Sequence, residues 1–296
     1  MLAASGAAHA TGNWPPDPRR SLIPDARPLA LGEAYRAVAN GNGAIWYNPA
    51  GLAFFPTYSI EANYSYAPWL ELHQISASVA DTKTNPRAGA GVAYTYAHAK
   101  NNPQGDSDEF SYHSSRLGMC FSVVENVFAL GLNLHYFKSD VDNGRDDNWL
   151  TFDAAAMVRA ADFLSLAVVG HNLTNTASPS APLSLGAGVA LYPVNALLLA
   201  FDLVTDFQTK KDPELEYHVG VEYQFLFGEG EGMTQAFALR AGYFFDGVRD
   251  RHMVSAGAAY VNPTGAIEVG FRQGVAGDGT DKDEDQVFSL ALKLFM

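Results

Sequence analysis

The stretch Tyr217-His218-Val219-Gly220-Val221-Glu222-Tyr223-Gln224-Phe225-Leu226-Phe227 sets Tyr217, Val219, Val221, Tyr223, Phe225 and Phe227 on one parity, and His218, Gly220, Glu222 and Gln224 on the other. A period of two sends alternate side chains to opposite faces of a sheet, so this is a strand with one apolar and one polar face. Its apolar parity carries large aromatics, where a half-buried strand of a water-soluble protein needs only aliphatics. The alternation returns at Phe128, Leu130, Leu132, Leu134 and Tyr136, at Leu183, Leu185, Ala187, Val189 and Leu191, and at Tyr58, Ile60, Ala62, Tyr64 and Tyr66. In a soluble sandwich two such faces pack together; in a membrane barrel the apolar face meets lipid and the polar face lines the lumen.

Breaking the pattern at Gly, Pro, Asn and Asp clusters predicts fourteen strands over 57–66, 71–81, 87–99, 109–123, 127–139, 148–159, 163–172, 182–192, 196–206, 214–227, 234–245, 251–261, 264–273 and 285–296. An even number is the firmer part of that count, with twelve as the alternative. The connections segregate. The even ones are tight, at Glu125-Asn126, Ala160-Ala161-Asp162, Tyr192 to Asn195 and Asn262-Pro263, whereas polar stretches at 101–108, 141–148 and 274–286 fall on the odd ones. Long loops on one rim and short turns on the other is the outer-membrane arrangement. Aromatics near the strand ends, at Tyr64, Tyr66, Tyr136, Phe137, Phe225, Phe227, Phe244, Phe245 and Tyr260, suggest girdles at the two interfaces. The expected fold is an all-β, closed antiparallel transmembrane β-barrel with a short N-terminal helical or turn-rich plug, in a bacterial (Gram-negative) outer membrane.

Composition agrees. The chain has 296 residues, 48% of them hydrophobic, yet no run approaches the roughly 18–20 apolar residues of a membrane helix. A formal charge of −13 argues against a nucleic-acid partner, which needs clustered Lys and Arg. A lone cysteine, Cys120, excludes a disulfide within the monomer and falls on the polar parity between Gly118 and Ser122, as a small packing residue. Ala8-His9-Ala10 fits the small-x-small pattern before a signal-peptide cleavage point, so residues 1–10 read as a signal remnant, 11–56 as the segment before the barrel and 57–296 as the barrel.

The segment before the first strand does not alternate. Asn48 suits an N-cap and Pro49 the first helical position, so Asn48-Pro49-Ala50-Gly51-Leu52 predicts a one-turn helix. The run from Ala26 to Ala53, ARPLALGEAYRAVANGNGAIWYNPAGLA, resembles the N-terminal signature of the long-chain fatty-acid transporter (FadL-type) outer-membrane family and of its PorV/PorQ-like relatives. It differs from the family where relatives carry acidic residues, having Asn40-Gly41-Asn42-Gly43, and its outward loops are short. The resemblance implies a fourteen-stranded barrel plugged by this segment, with Asn48, Pro49, Ala50 and Gly51 in the plug or gate. In the transporter branch it implies entry of apolar molecules from outside, an internal pocket and a sideways exit through the wall.

The polar parity supplies Glu61, Asp153, Asp202, Glu222 and Glu268 with Arg159, Arg240, Arg272 and Lys293. A barrel of this size must fill or hydrate its interior, so these charges are expected to pair with one another or with the plug. A second expectation gives Arg240 or Arg272 a substrate carboxylate. No cofactor, metal or enzyme activity is expected. The histidines are dispersed, and His113 and Ser114 point to opposite faces, although His113 and Ser115 share one. The acidic stretch Asp278 to Asp285 lacks a twelve-residue calcium-loop pattern and reads as a solvated loop. Gly89 and Gly91 mark either a kink in strand three or close packing. Two functions follow: passive uptake of hydrophobic small molecules such as long-chain fatty acids, or a non-transporting barrel that docks a secretion, motility or surface-anchoring partner. The first expects an elongated apolar pocket between plug and wall, the second a tightly filled lumen.

Overall fold

The computed structural model describes Leu22 and residues 25–100, 109–141, 147–174, 181–210, 212–228, 235–277 and 285–296. Fourteen strands close into one antiparallel barrel. They are β1 (Tyr58–Ala67), β2 (Leu72–Asp81), β3 (Ala88–Ala99), β4 (Phe110–Val124), β5 (Phe128–Val141), β6 (Asp147–Ala161) and β7 (Leu164–His171). The second half comprises β8 (Ser184–Val194), β9 (Leu197–Asp206), β10 (Glu214–Phe227), β11 (Gln235–Asp246), β12 (Arg251–Asn262), β13 (Gly265–Gly277) and β14 (Val287–Phe295). Every strand pairs with its sequence neighbours, and β14 closes on β1 from Ser59↔Phe295 to Tyr66↔Phe288. All fourteen expected strands are present, displaced by at most four residues at an end.

Side-chain orientation settles the choice between sandwich and barrel. On β10, Leu215, Tyr217, Val219, Tyr223 and Phe225 are exposed while His218, Gly220 and Glu222 are buried. On β14, Phe288, Leu290 and Leu292 are exposed and Ser289 and Ala291 buried. The same inversion runs around the wall, with Ile75, Val92, Leu130, Leu150 and Ile267 outward. A water-soluble monomer shows apolar patches of roughly 300–600 Å2; a belt continuous around a closed barrel belongs in hydrocarbon, where closure also leaves no unpaired strand edge. Among the described residues no helix is long and apolar enough to cross a membrane. The chain crosses with strands.

Short turns at 125–127, 162–163, 195–196 and 263–264 define one rim, and the ladder irregularities at Ser122/Val124, Arg159/Ala161 and Leu191/Val194 lie beside three of them. Bulges gather at barrel rims because they bend a strand without disturbing its middle. Most of the polar stretch at 101–108, at 142–146 and at 278–284 lies outside the described residues.

Residues 25–54 lie within the barrel, most of them buried against its inward parity, and Phe55 and Pro56, both exposed, lead out to β1. Asp25 caps the short helix α1 (Ala26–Ala30), its carboxylate accepting the Arg27 N–H at 3.1 Å. The helix ends at Gly32, whose φ of +62° is left-handed, and a Cβ there would lie 2.7 Å from both the N and O of Tyr243. Only glycine suits that turn. After α2 (Ala44–Tyr47), Asn48 accepts the Ala50 N–H at 3.0 Å and starts the helix expected there, which winds as a 3₁₀ helix over Pro49–Phe54. Asn48 also donates to the Arg36 carbonyl at 2.7 Å, clasping two turns of the segment together. Pro49, Ala50, Gly51 and Leu52 are fully buried.

Gly89 and Gly91 serve close packing. A Cβ on Gly91 would meet the Ile45 side chain at 2.5 Å and one on Gly89 the Thr82 methyl at 2.8 Å, while both ladders of β3 run without a register shift.

Candidate functional site

The interior is a set of ion pairs joining the inner segment to the wall. The largest begins at Glu222 on β10, which accepts from Arg27 Nε and Nη2 at 3.0 Å each and from Arg240 Nε at 2.5 Å. Arg240 continues to Glu268 through Nη1 at 3.1 Å. Lys293 Nζ then lies 3.6 Å from Glu268, 3.3 Å from Glu61 and 3.2 Å from both carboxylate oxygens of Asp25. Strands β1, β10, β11, β13 and β14 are thus tied to α1. Taking these charges out of water costs several kcal/mol per ion, and the fork geometry at Glu222 is the kind that offsets it.

Three smaller groups lie apart from it. Asp202 on β9 accepts the backbone N–H groups of Tyr35 and Arg36 at 2.9 and 2.8 Å, and the Arg36 guanidinium at 3.2 Å. Asp153 on β6 takes Arg116 at 3.2 Å, Asn133 at 3.0 Å and the Asn172 N–H at 2.9 Å. Arg272 on β13 donates to Glu33 at 2.8 Å through Nη1, while its Nη2 is buried without a partner. Two guanidinium groups of the wall also cover aromatic rings of the segment, Arg116 over Trp46 at 5.5 Å and Arg159 over Phe54 at 4.7 Å. Burial pushes the Tyr35 phenol up to about 12, so the hydroxyl stays neutral in this interior.

The structure therefore places Glu61, Asp153, Asp202, Glu222, Glu268, Arg240 and Arg272 inside and buried. Arg159 shares their parity but lies exposed at the short-turn rim, where it donates to the Phe54 carbonyl at 3.2 Å. Asp25, Arg27, Glu33, Arg36 and Arg116 were not singled out by the sequence. Arg116 could have been found, since it falls on the polar parity of β4 between Ser114 and Gly118. The others lie where no period orients a side chain.

Cavities divide by chemistry. A polar one of about 690 Å3 opens at the short-turn rim between the segment and the wall, lined by Arg27, Asn40, Arg159, Tyr192, Glu222 and Gln224. Two apolar depressions lie on the outer surface. One of about 500 Å3 runs across Ile60, Val79, Val92, Leu117 and Leu134. The other, about 570 Å3, lies over Ala256, Gly257, Val269, Gly270, Phe271 and Leu290.

Ser114 and His135, on adjacent strands, meet inside at 2.9 Å between Oγ and Nε2, a pairing that spacing did not reveal. His135 Nδ1 has no hydrogen-bond partner, so no acid orients the ring as a nucleophile's base would need. Among the described residues no group of three or more His, Cys, Asp or Glu could hold a metal ion. Cys120 is buried on the inward parity of β4. Asp285, the last acid of the 278–285 stretch, accepts from Arg249 and Arg251 at 3.1 and 2.8 Å; residues 278–284 lie outside the described part.

No family model matches the chain, and no curated protein is significantly similar to it. Solved structures are similar in shape. A Pseudomonas aeruginosa FadL homologue shares 14% identity at a TM-score of 0.61, over 92% of this chain and 98% of that one. The Pseudomonas putida toluene transporter TodX shares 10% at 0.62, over 93% and 97%, and the Ralstonia pickettii toluene transporter TbuX 8% at 0.61, over 91% and 98%. At such identities the likeness speaks for the architecture, and it extends over nearly the whole of each chain. The chain carries the fold of the FadL-type outer-membrane barrels.

Proposed function

We propose that this is a bacterial outer-membrane barrel that takes up apolar small molecules, with residues 25–54 as its plug and Asn48, Pro49, Ala50 and Gly51 as the clasp that keeps the plug folded. The observation that carries the proposal is the wall at Gly257 and Gly270. Both glycines face inward and floor the 570 Å3 apolar depression of the outer surface. From inside, a Cβ on Gly257 would meet the Ala30 methyl at 2.5 Å, and one on Gly270 the Leu29 side chain at 3.1 Å. One thickness of backbone, without side chains, separates lipid from the apolar face of α1. Movement of α1 away from this wall opens a path whose two sides are both apolar. The fold shared with two toluene transporters and a FadL homologue supports the same reading.

The paired cations favour a cargo without charge. Arg240 is committed to Glu222 and Glu268, and Arg272 keeps a buried donor without a partner. The test is a reversible cross-link between Leu29→Cys and Gly270→Cys in a Cys120→Ser background, where shortening the Leu29 side chain, 3.1 Å from a Cβ at Gly270, leaves room for the bridge. Uptake of a fluorescent apolar probe into vesicles carrying the barrel should fall on oxidation and return on reduction. Equal uptake in both states overturns this exit.

A second reading, a non-transporting barrel that docks a secretion or surface protein, is favoured by one observation: the cavity between segment and wall is polar rather than apolar. Deletion that leaves hydrocarbon and fatty-acid uptake intact but abolishes surface display of another protein would select it.

A further inference from the structure

Among the described residues four histidines face outward, His73, His98, His113 and His252, and all four lie at the long-loop rim. The outward rings at the opposite rim are Phe and Tyr, including Phe121, Phe163, Phe225, Phe227 and Tyr260. A girdle that only anchors a barrel needs amphipathic aromatics at both rims. The histidines are an asymmetry that anchoring does not call for.

Three of them repeat one geometry. In the β1–β2 hairpin Tyr66 stands directly across from His73, with ring centres 4.9 Å apart, and Tyr64, two residues deeper, sets its hydroxyl 2.7 Å from His73 Nδ1. In β3–β4 Tyr96 stands across from His113 at 5.0 Å, and the Tyr94 hydroxyl lies 2.7 Å from Nδ1. In β11–β12 Phe245 stands across from His252 at 4.7 Å, and the Tyr243 hydroxyl lies 2.6 Å from Nδ1. The β3–β4 connection runs ten residues where the other two run four, so the repeat is no by-product of one turn type.

In each clamp the tyrosine occupies Nδ1, and the neighbouring ring packs beside the imidazole at a tilt of 34°, 44° or 36°. Nε2 is the polar atom left over. Facing hydrocarbon it would be unsatisfied, so the clamps belong at the level of head groups, where acceptors exist. The Tyr hydroxyl donates to Nδ1 when Nε2 carries the proton and accepts when the ring is charged, so Nε2–H is presented in both cases. The strongest acceptor of a head-group layer is a phosphate oxygen. At His113 a cation stands close by: Lys138 is its cross-strand neighbour on β5, held by Asp140 at 2.7 Å. His98 stands across from His73.

We propose that the Tyr64–His73–Tyr66, Tyr94–His113–Tyr96 and Tyr243–His252–Phe245 clamps bind phosphate groups of lipid heads in the leaflet at the long-loop rim, giving the arc from β11 through β14 and β1 to β4 a lipid-selective surface. The inference rests on the membrane-spanning exterior and is independent of transport.

The experiment is native mass spectrometry of the whole barrel in micelles doped with phosphatidylglycerol, or with diacylglycerol, which lacks the phosphate. The barrel should retain phosphatidylglycerol and shed diacylglycerol. His73→Phe/His113→Phe/His252→Phe, which keeps the stacking, should lower retention roughly tenfold, the size of one charge-assisted hydrogen bond per site. Tyr64→Phe/Tyr94→Phe/Tyr243→Phe should give a smaller loss, because the rings remain and only their orientation is released. Heat-modifiable gel mobility reports folding; if the triple variant does not fold, His113→Phe alone carries the test. Equal retention of the two lipids, or undiminished phosphatidylglycerol binding in the histidine variant, overturns the proposal.

Discussion

Arg27 and Glu222 lie 195 positions apart in the chain and share two parallel hydrogen bonds of 3.0 Å, one from Nε and one from Nη2. This fork fastens the first helix of the inner segment to the middle of β10. Because Arg240 reaches the same carboxylate from β11, Glu222 is shared by two guanidinium groups, that of Arg240 almost wholly buried.

Glu222→Ala should therefore cost about 3–5 kcal/mol, the range for breaking a buried pair from one side. Denaturant titration of the refolded barrel measures it. Arg27→Met should cost less, since Glu222 keeps Arg240. Equal losses would mean that the network acts as one indivisible unit.

Asp202→Asn tests the hold on the middle of the inner segment. The backbone N–H groups of Tyr35 and Arg36 and the Arg36 side chain all converge on one carboxylate oxygen. An amide keeps an acceptor but loses the charge, at about 1–3 kcal/mol. Hydrogen exchange should rise at residues 33–39 while the strand ladders stay protected. Unchanged exchange there would show that packing alone seats the segment.

Val219→Arg probes the outer face. At 45% exposed and close to the middle of β10, Val219 costs little to change if water surrounds it. In hydrocarbon the same substitution should destabilise by about 2–4 kcal/mol, falling towards the strand ends. A scan along Leu215, Val219 and Phe225, read by refolding into vesicles, gives the depth profile.

Arg272→Gln separates cargo classes. The side chain has one donor on Glu33 and one without a partner. Uptake of a fatty acid should fall severalfold and that of an uncharged hydrocarbon should not. Glu33→Gln is the control, because it disturbs the same ion pair without removing the guanidinium. A parallel loss for both cargoes in both variants would assign Arg272 to plug positioning.

The wall was legible because its signal is local. Each strand repeats every two residues, so Tyr217 to Phe227 declares its two faces without reference to any other strand, and the Gly, Pro, Asn and Asp clusters mark the turns. The helix start at Asn48-Pro49 was legible for the same reason, an N-cap followed by a residue that needs no N–H. The inner segment was not. Arg27 lies in a helix of five residues and Glu33 and Arg36 in turns, all too short for a period to assign a direction, and Ser114 with His135 meet only because β4 and β5 pair in one particular register.

By itself, then, the sequence determined a closed sheet with an oily outside, since alternation of apolar and polar residues constrains each strand separately. Parity could say that Glu222, Arg240, Glu268 and Lys293 point inward. Only the tertiary structure decided which of them meet, because partnership depends on how far each strand is staggered against the next and on where β14 closes upon β1. The same closure brings Asp25 to Lys293, 268 positions away, a distance over which no local pattern carries information.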